Sequence, residues 1–220
     1  MLPEPYFQTE NGVLYHGDCL FILPHLGPVD LILTDPPYGC KNNCDYTRFS
    51  GGLSESRNYG KQIFGDEKPF DPSPFLGFSG VILFGYQFFA DKLPPGTILI
   101  WNKKRESQLG SFLSDCELAW KKGGSGCYLF PLVWHGFDRE VERGKTLHPT
   151  QKPVALFLWC LELSKTTGTV CDPYFGSGTT GVACERLGRK WIGIEIEEKY
   201  CEIAAKRIQA ENRQLKIPGV

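Results

Sequence analysis

The segment Asp35-Pro-Pro-Tyr38 combines a carboxylate, a carbonyl that precedes a proline and an aromatic ring. It follows an apolar run from Val29 to Leu33, which predicts a buried strand of a parallel sheet. The two prolines disfavour a helix and cannot donate backbone hydrogen bonds, so the chain should leave the sheet extended and stiff. Asp35 and the Pro36 carbonyl can then accept both N–H bonds of an amino group while Tyr38 stacks on its ring. The motif therefore favours a flat substrate that carries an NH2 group.

A second segment, Asp172 to Gly181, runs from a predicted strand through a glycine-rich turn into a predicted helix. Its glycines let backbone amides approach a ligand closely, and the start of a helix favours an anion. Glu195 lies 19 residues after Gly176, at the end of the next apolar run. An acidic residue at that place binds ribose hydroxyls in nucleoside-binding α/β folds. The turn reads G-S-G-T-T-G, so the pattern alone also allows NAD.

Apolar strand patterns alternate with helix patterns along most of the chain. This alternation predicts an α/β fold with a mostly parallel twisted sheet and an antiparallel edge. The helix signals are clearest at Pro153 to Ser164, Thr179 to Leu187 and Lys199 to Gln214. A length of 220 residues fits a single domain over 1–220.

The composition is that of an ordinary globular protein, with 41% hydrophobic and 22% charged residues. No apolar run approaches the roughly 20 residues that span a membrane, and the N-terminus lacks the pattern of a secretion signal. The nine cysteines are scattered, which is typical of free thiols in a cytoplasmic protein. Cys40 and Cys44 are not part of a C-x-x-C pair, so no metal site is predicted.

Positive charge is concentrated in the middle of a chain whose net charge is −1. Residues 101–152 carry nine Lys and Arg against six Asp and Glu, and a local basic face can bind phosphates. The polar stretch 39–74 is predicted to be a mobile loop that grips the substrate, because a loop this long is usually functional or disordered and this one directly follows the Asp35 motif. Residues 102–147 are predicted to form a short recognition region within the domain. The predicted phosphate contacts are Arg48, Arg57, Lys61, Lys103, Lys104 and Arg105.

Taken together, the motifs resemble those of the β-type DNA amino-methyltransferases that use S-adenosylmethionine, in which D-P-P-Y precedes the cofactor loop. The similar segments cover nearly the whole chain: Gly17-Asp18, Leu31 to Gly39, His148 to Pro153, Asp172 to Thr180 and Gly188 to Glu195. Tyr174 stands where this family usually has phenylalanine. The resemblance implies a Rossmann-like methyltransferase fold with a circularly permuted motif order. It also implies double-stranded DNA as the substrate and a restriction-modification setting.

The same resemblance implies a role for each motif residue. Asp35, Pro36, Pro37 and Tyr38 would receive a flipped-out base, with Asp35 also close to the cofactor. Glu195 would bind the ribose hydroxyls, and Asp18 would lie near the adenine amino group. The residues that would surround the methionine part are Thr150, Gln151, Lys152, Asp172, Phe175, Gly176, Ser177, Gly178 and Thr179.

Several alternatives stay open at this level. Aspartate at the first motif position favours adenine N6 over cytosine N4, although both bases present an aromatic amine. Carbon-5 methylation of cytosine needs a cysteine nucleophile, and the Pro-Cys pair that usually carries it is absent from the sequence. RNA as the substrate, an inactive binding module and an NAD-dependent oxidoreductase are the other readings. A chain this short for its group predicts a short target sequence or a homodimer.

Overall fold

The computed structural model describes residues 1–40, 64–111, 114–135, 138–142 and 151–215. The strands of these residues are β1 Phe7–Gln8, β2 Gly12–His16, β3 Leu31–Thr34, β4 Gly80–Phe84, β5 Gly96–Asn102, β6 Cys116–Pro131, β7 Trp134–His135, β8 Asp138–Arg139, β9 Val170–Asp172 and β10 Trp191–Glu195. The α-helices are α1 Cys19–Ile22, α2 Val154–Ser164, α3 Thr179–Arg186 and α4 Glu198–Leu215. One sheet has the order β1-β2-β10-β9-β3-β4-β6-β5, and β7 pairs with β8 separately.

The centre of the sheet is parallel. Strands β2, β10, β9, β3 and β4 are neighbours that all run in the same direction. The four residues of β3 are buried, which agrees with the continuous apolar run in the sequence. The carboxyl ends of parallel strands open on one rim, where α/β sheets bind their ligands. Because β3 ends at Thr34 and β9 ends at Asp172, both sequence motifs begin on that rim.

Strand β6 forms the antiparallel edge of the sheet, and two separate stretches of it pair with β5. Its first half lies between β4 and β5 and runs opposite to both, as the partners Leu83↔Trp120 and Ile98↔Trp120 show. Its second half pairs with β5 again in the same direction, with Ile98↔Cys127 as one partner pair. Gly123, with a φ of 78°, belongs to the stretch that turns the chain around the start of β5. The predicted mostly parallel sheet with an antiparallel edge is therefore confirmed.

Helices cover both faces of the sheet, and the core is divided accordingly. Leu31 and Leu33 of β3 belong to one buried cluster, together with residues of α2, α3 and α4. Ile32, between them, belongs to a second cluster that includes residues of α1. This division follows from the strand itself, because successive side chains point to opposite faces of a sheet. The core therefore holds β3, and with it the start of the Asp35 motif, from both sides.

The three long helices lie where the sequence predicts them, within one residue at each end. Pro153 caps α2 in an extended conformation, and the helix begins at Val154. The connection from α3 to β10 passes through Gly188, whose φ is 60°. No helix among the described residues combines the length and apolar character needed to cross a membrane.

Candidate active site

The two motifs meet in one cavity at the carboxyl rim of the sheet. Strands β3 and β9 are adjacent, and the Thr34 hydroxyl donates a 2.6 Å hydrogen bond to Asp172 Oδ1, across 138 positions of sequence. A cavity of about 410 Å3 is lined by Asp35 to Tyr38 from the first motif and by Asp172 to Ser177 from the second. Glu195, at the end of β10, lines the same cavity. The structure therefore brings together the segments that the sequence singled out.

The Phe175 ring anchors the glycine-rich turn in the core. It is 3% exposed and stacks on Trp191, with 5.3 Å between the ring centroids. A Cβ atom added to Gly178, Gly181 or Gly193 would approach this ring to 3.3, 2.7 or 2.5 Å. The absence of a side chain at these glycines therefore leaves room for the Phe175 ring between α3 and β10. This role is separate from any approach of the turn's backbone to a ligand. Phe175 can offer a ligand its backbone, because its side chain belongs to the core.

The Asp172 carboxylate ties the two motifs together. Its Oδ1 accepts hydrogen bonds from the Thr34 hydroxyl and from Tyr174 N, the latter at 3.1 Å. Its Oδ2 accepts a short hydrogen bond from the Thr180 hydroxyl. Burial raises the pKa of Asp172 to about 7, although these hydrogen bonds act in the opposite direction. A bound cation would favour the ionised form, so the site is suited to an ammonium group.

Two further carboxylates line the cavity at the ends of β10 and β2. Glu195 is buried; its Oε2 accepts from Gly176 N at 2.7 Å and its Oε1 accepts from Glu197 N at 2.8 Å. Burial raises the pKa of Glu195, and the backbone amides oppose that shift. Each oxygen keeps a second lone pair, which suits a pair of neighbouring hydroxyls. Asp18 caps α1 by accepting a 2.8 Å hydrogen bond from Leu20 N.

The Asp35 carboxylate is held by partners on both oxygens. The Tyr38 hydroxyl donates a short hydrogen bond to Oδ1, and the Lys152 ammonium donates a short one to Oδ2. Burial raises the pKa of Asp35, while the positive charge of Lys152 acts to lower it. The Tyr38 ring stacks on Phe88 at 4.9 Å between centroids and an angle of 16°. A carboxylate with fixed orientation therefore stands beside an aromatic pair at the rim.

Asp66 binds the backbone at the end of the Asp35 motif, a role that was not predicted from the sequence. Its Oδ1 accepts hydrogen bonds from Gly39 N at 2.8 Å and from Cys40 N at 3.1 Å, and the residue is buried. Gly39 has a φ of 81°, and a Cβ atom there would lie 2.5 Å from the Lys68 carbonyl oxygen. Only glycine fits this backbone and this contact.

Replacing Gly39 with alanine is therefore expected to destabilise the protein more than the same change at Gly110. Gly110 has a similar φ of 72°, but no atom lies within 4 Å of its added Cβ. In both variants, alanine must adopt a left-handed backbone conformation, which lowers the free energy of unfolding. Only in Gly39→Ala does the new Cβ also collide with the Lys68 carbonyl, at a further cost of about 1–3 kcal/mol. For a chain of this size, we expect Tm to be lower by at least about 2 °C relative to Gly110→Ala. Equal Tm values for the two variants would contradict this account.

Lys152 and its neighbours only partly match their predicted places. Lys152 lines the cavity, as does Gln151, but its ammonium faces Asp35 and Glu117. Thr150 lies outside the described residues. The predicted closure of this segment over a methionine carboxylate stays a prediction.

The predicted phosphate contacts need correction at one position. The Lys104 side chain is 0% exposed; it forms an ion pair with Asp115 at 2.8 Å and a hydrogen bond to the Ser111 carbonyl at 3.1 Å. It therefore does not present its charge to a nucleic acid. Lys103 is mostly buried and pairs with Glu117, whereas Arg105 is exposed. The remaining three predicted contacts, Arg48, Arg57 and Lys61, lie outside the described residues.

Besides Asp66, three polar residues of the site were not predicted from the sequence. Thr34 and Thr180 orient Asp172, and Glu117 pairs with Lys152. Both threonines lie within the segments that resemble the family, so their position was a usable signal. Glu117 had a weaker signal, a charged residue beside the apolar stretch of β6. No cluster of three His, Cys, Asp or Glu side chains that could hold a metal occurs in the part of the chain that the structure describes.

Comparison with known proteins agrees with this geometry. A family model described as DNA methylase matches residues 129–206. Over 96% of its length, the chain is 28% identical to the type II methyltransferase M2.DpnII of Streptococcus pneumoniae, of which 95% is covered. The chain is similar to DNA amino-methyltransferases over nearly its whole length. The chain is also 27% identical to the type II methyltransferase M.ScaI of Streptomyces caespitosus, over 97% of the chain and 86% of M.ScaI.

Solved structures support the fold and the cofactor of this methyltransferase. The complex of M1.HpyAVI with S-adenosylmethionine matches 88% of the chain and 98% of that protein, with 26% identity and a TM-score of 0.53. PvuII DNA methyltransferase matches 96% of the chain and 94% of that protein, with 17% identity and a TM-score of 0.58, which supports the fold alone. The Rossmann-like fold is confirmed, and S-adenosylmethionine is the cofactor of this enzyme.

Proposed function

We propose that this methyltransferase transfers a methyl group from S-adenosylmethionine to the N6 amine of a flipped-out adenine in double-stranded DNA. The observation that carries the proposal is the Asp35 carboxylate at the end of β3, on the same cavity as the glycine-rich turn and Glu195. Aspartate at the first motif position supports adenine over cytosine N4, which is the alternative substrate. PvuII methyltransferase is described as specific for cytosine N4, but its 17% identity gives no argument about the base.

The buried carboxylates fit the cofactor. Glu195 offers two fixed oxygens to the ribose hydroxyls, and Asp172 offers a carboxylate to the methionine ammonium group. The turn from Phe175 to Gly178, followed by Thr179 at the start of α3, would contact the methionine part through its backbone. Lys152, with Gln151 and Thr150, would neutralise the methionine carboxylate. Asp18 would accept a hydrogen bond from the adenine amino group.

When bound, S-adenosylmethionine supplies a methyl group on a sulfonium, which leaves as a neutral thioether. Asp35 and the Pro36 carbonyl would each accept one N–H of the target amine, which localises the lone pair on its nitrogen. Pro37 keeps this carbonyl fixed, and Tyr38 would stack on the base after it leaves the duplex. Because burial raises its pKa, Asp35 is suited to take the proton that the amine loses on methylation. Positioning and fixed charges therefore supply most of the rate.

DNA contacts are proposed outside the cavity. Exposed Arg105 belongs to the recognition region 102–147, and Arg48, Arg57 and Lys61 belong to the loop 39–74. Lys103 is expected to contribute less to DNA binding than Arg105, because its ammonium already pairs with Glu117. A recognition region this short supports a short target sequence or a homodimer.

The experiment that tests the proposal is to identify the methylated nucleoside. The enzyme is incubated with cofactor labelled in its methyl group and with unmethylated duplex DNA, and the DNA is digested to nucleosides. We expect the label in N6-methyldeoxyadenosine. Label in N4-methyldeoxycytidine would establish the alternative substrate. Label in RNA but not in DNA, offered in parallel, would refute the proposal.

A further inference from the structure

Glu117 reaches the site because β6 runs opposite to its parallel neighbours. The beginning of an antiparallel strand lies at the rim where parallel strands end. Glu117 is the second residue of β6 and pairs with Trp101, near the end of β5. Its carboxylate therefore lies on the same rim as Asp35, although it belongs to neither recognised motif.

Four charged side chains form a continuous row at this rim. Lys152 Nζ contacts Asp35 Oδ2 and lies 3.1 Å from Glu117 Oε2, which is buried. Lys103 Nζ lies 2.9 Å from the other oxygen, Glu117 Oε1. Two positive and two negative charges cancel, so removal of any one leaves a buried charge without compensation.

The two central groups of the row, Glu117 and Lys152, are both charged at neutral pH. Burial acts to raise the pKa of Glu117, but the ammonium groups of Lys152 and Lys103 outweigh it and lower the pKa to about 2. Burial acts to lower the pKa of Lys152, but Asp35 and Glu117 raise it above its usual value. Glu117 is therefore a permanent anion at neutral pH, and it is too weak a base to accept the proton of the reaction.

Lys152 needs an anchor that the reaction does not use. In the proposed function, Asp35 must accept an N–H of the target amine, and the Lys152 ammonium must serve the cofactor. An ammonium bound to Asp35 alone would compete with the amine for the same carboxylate. Glu117 supplies a second anion that shares the ammonium with Asp35, so that Asp35 does not bear the whole interaction. The Lys152 ammonium also lies 5.7 Å from the centre of the Phe84 ring, and this contact restricts the positions that the ammonium can adopt.

We infer that Glu117 is a positioning residue, which shares the Lys152 ammonium with Asp35 at the rim of the cavity while Lys103 balances the charge of Glu117. This inference rests on the proposed function. It also gives Lys103 a role in the charge row, in place of a simple contact with DNA. Asp35 then retains an acceptor for the amine while Lys152 remains close enough to keep it ionised.

The test is Glu117→Gln, which keeps the shape and removes the charge. Lys152 should then bind Asp35 more fully, so we expect kcat for DNA methylation to fall at least about 10-fold. The cofactor KM should change by less than about three-fold, because Lys152 keeps its charge. The negative charge of Glu117 raises the pKa of Asp35, so its loss should move the acid limb of the kcat profile to lower pH. A purely structural role would not move that limb.

Two comparison variants keep the test decisive. Glu10→Gln changes an exposed glutamate in the turn between β1 and β2 and should leave kcat and the pH profile unchanged. The double variant Glu117→Gln, Lys103→Met restores the balance of one cation and one anion, so it should recover the Tm that Glu117→Gln loses. Its kcat should stay low, because Lys152 still lacks its anchor.

Wild-type kcat and an unmoved acid limb in folded Glu117→Gln would overturn the inference, as would full kcat in the double variant. Failure of both variants to fold would also count against it, because Glu117 would then be a structural residue. The wild type is assayed in parallel for methylated nucleoside. An active wild type with an unaffected Glu117→Gln refutes this inference alone. A wild type that methylates no nucleic acid refutes the proposed function and this inference together.

Discussion

We expect Asp35→Asn to reduce kcat for methyl transfer by at least about 100-fold, the usual effect of removing a fixed charge from a reacting centre. Asparagine keeps the size of the side chain but offers one acceptor oxygen and an NH2 group in place of two acceptors. The target amine would then meet a donor where the aspartate presents a carboxylate. The Lys152 ammonium would also lose one of its two anionic partners.

Methylation by Asp35→Asn is measured with labelled cofactor and DNA, and cofactor binding is measured by calorimetry. Binding should largely survive, because Glu195, Asp172 and the glycine-rich turn are unchanged. Asp91→Asn is the matched control, since Asp91 is an exposed aspartate outside the cavity. A variant that retains wild-type kcat would refute the role of Asp35.

The pH dependence of the wild type follows from the same carboxylate. Burial raises the pKa of Asp35, so its ionised form is lost at a higher pH than that of an ordinary aspartate. The activity should therefore fall on the acid side as Asp35 becomes protonated and loses its ability to accept an N–H. The acid limb should be absent from the residual activity of Asp35→Asn.

Glu195→Gln is expected to weaken cofactor binding by about 100-fold, which corresponds to about 3 kcal/mol. Each hydrogen bond to a charged group contributes about 1.5–3 kcal/mol, and the ribose would lose its charged acceptor. The glutamine NH2 group must also face Gly176 N or Glu197 N, both of which are donors that Glu195 now satisfies. Calorimetry with the cofactor measures the loss directly.

Glu202→Gln is the control for Glu195→Gln. Glu202 is exposed on α4 and pairs with Lys206 one helical turn further on, an interaction of the kind that contributes only about 0.3–0.5 kcal/mol. Its cofactor affinity should equal that of the wild type. An unchanged affinity in Glu195→Gln, with the Tm of the wild type, would show that the ribose is bound elsewhere.

Local sequence signals were sufficient for the elements that carry the site. The buried run before Asp35 predicted β3, and the helix signals predicted α2, α3 and α4 within a residue at each end. These predictions succeed because strand burial and helix periodicity each depend on a few neighbouring residues. The pairing of β6 with both sides of β5 was not visible, since it is decided by how the strand turns at Gly123.

Side-chain partners across the site were decided by tertiary structure. A cluster of positive residues at Lys103 to Arg105 read as a single basic face, but the fold buries Lys104 against Asp115 and pairs Lys103 with Glu117. Charge patterning along the chain reports how many charges a segment has, and not which of them meet an opposite charge on folding.

The sequence by itself determined the fold class, the order of the two motifs and the chemistry they share, because turn glycines, prolines and acidic residues act over a few positions. Only the tertiary structure decided which carboxylates and which ammonium groups meet at the site. Asp35, Glu117 and Lys152 come from three separate elements, and their charges interact only after the sheet has brought its strand ends to one rim.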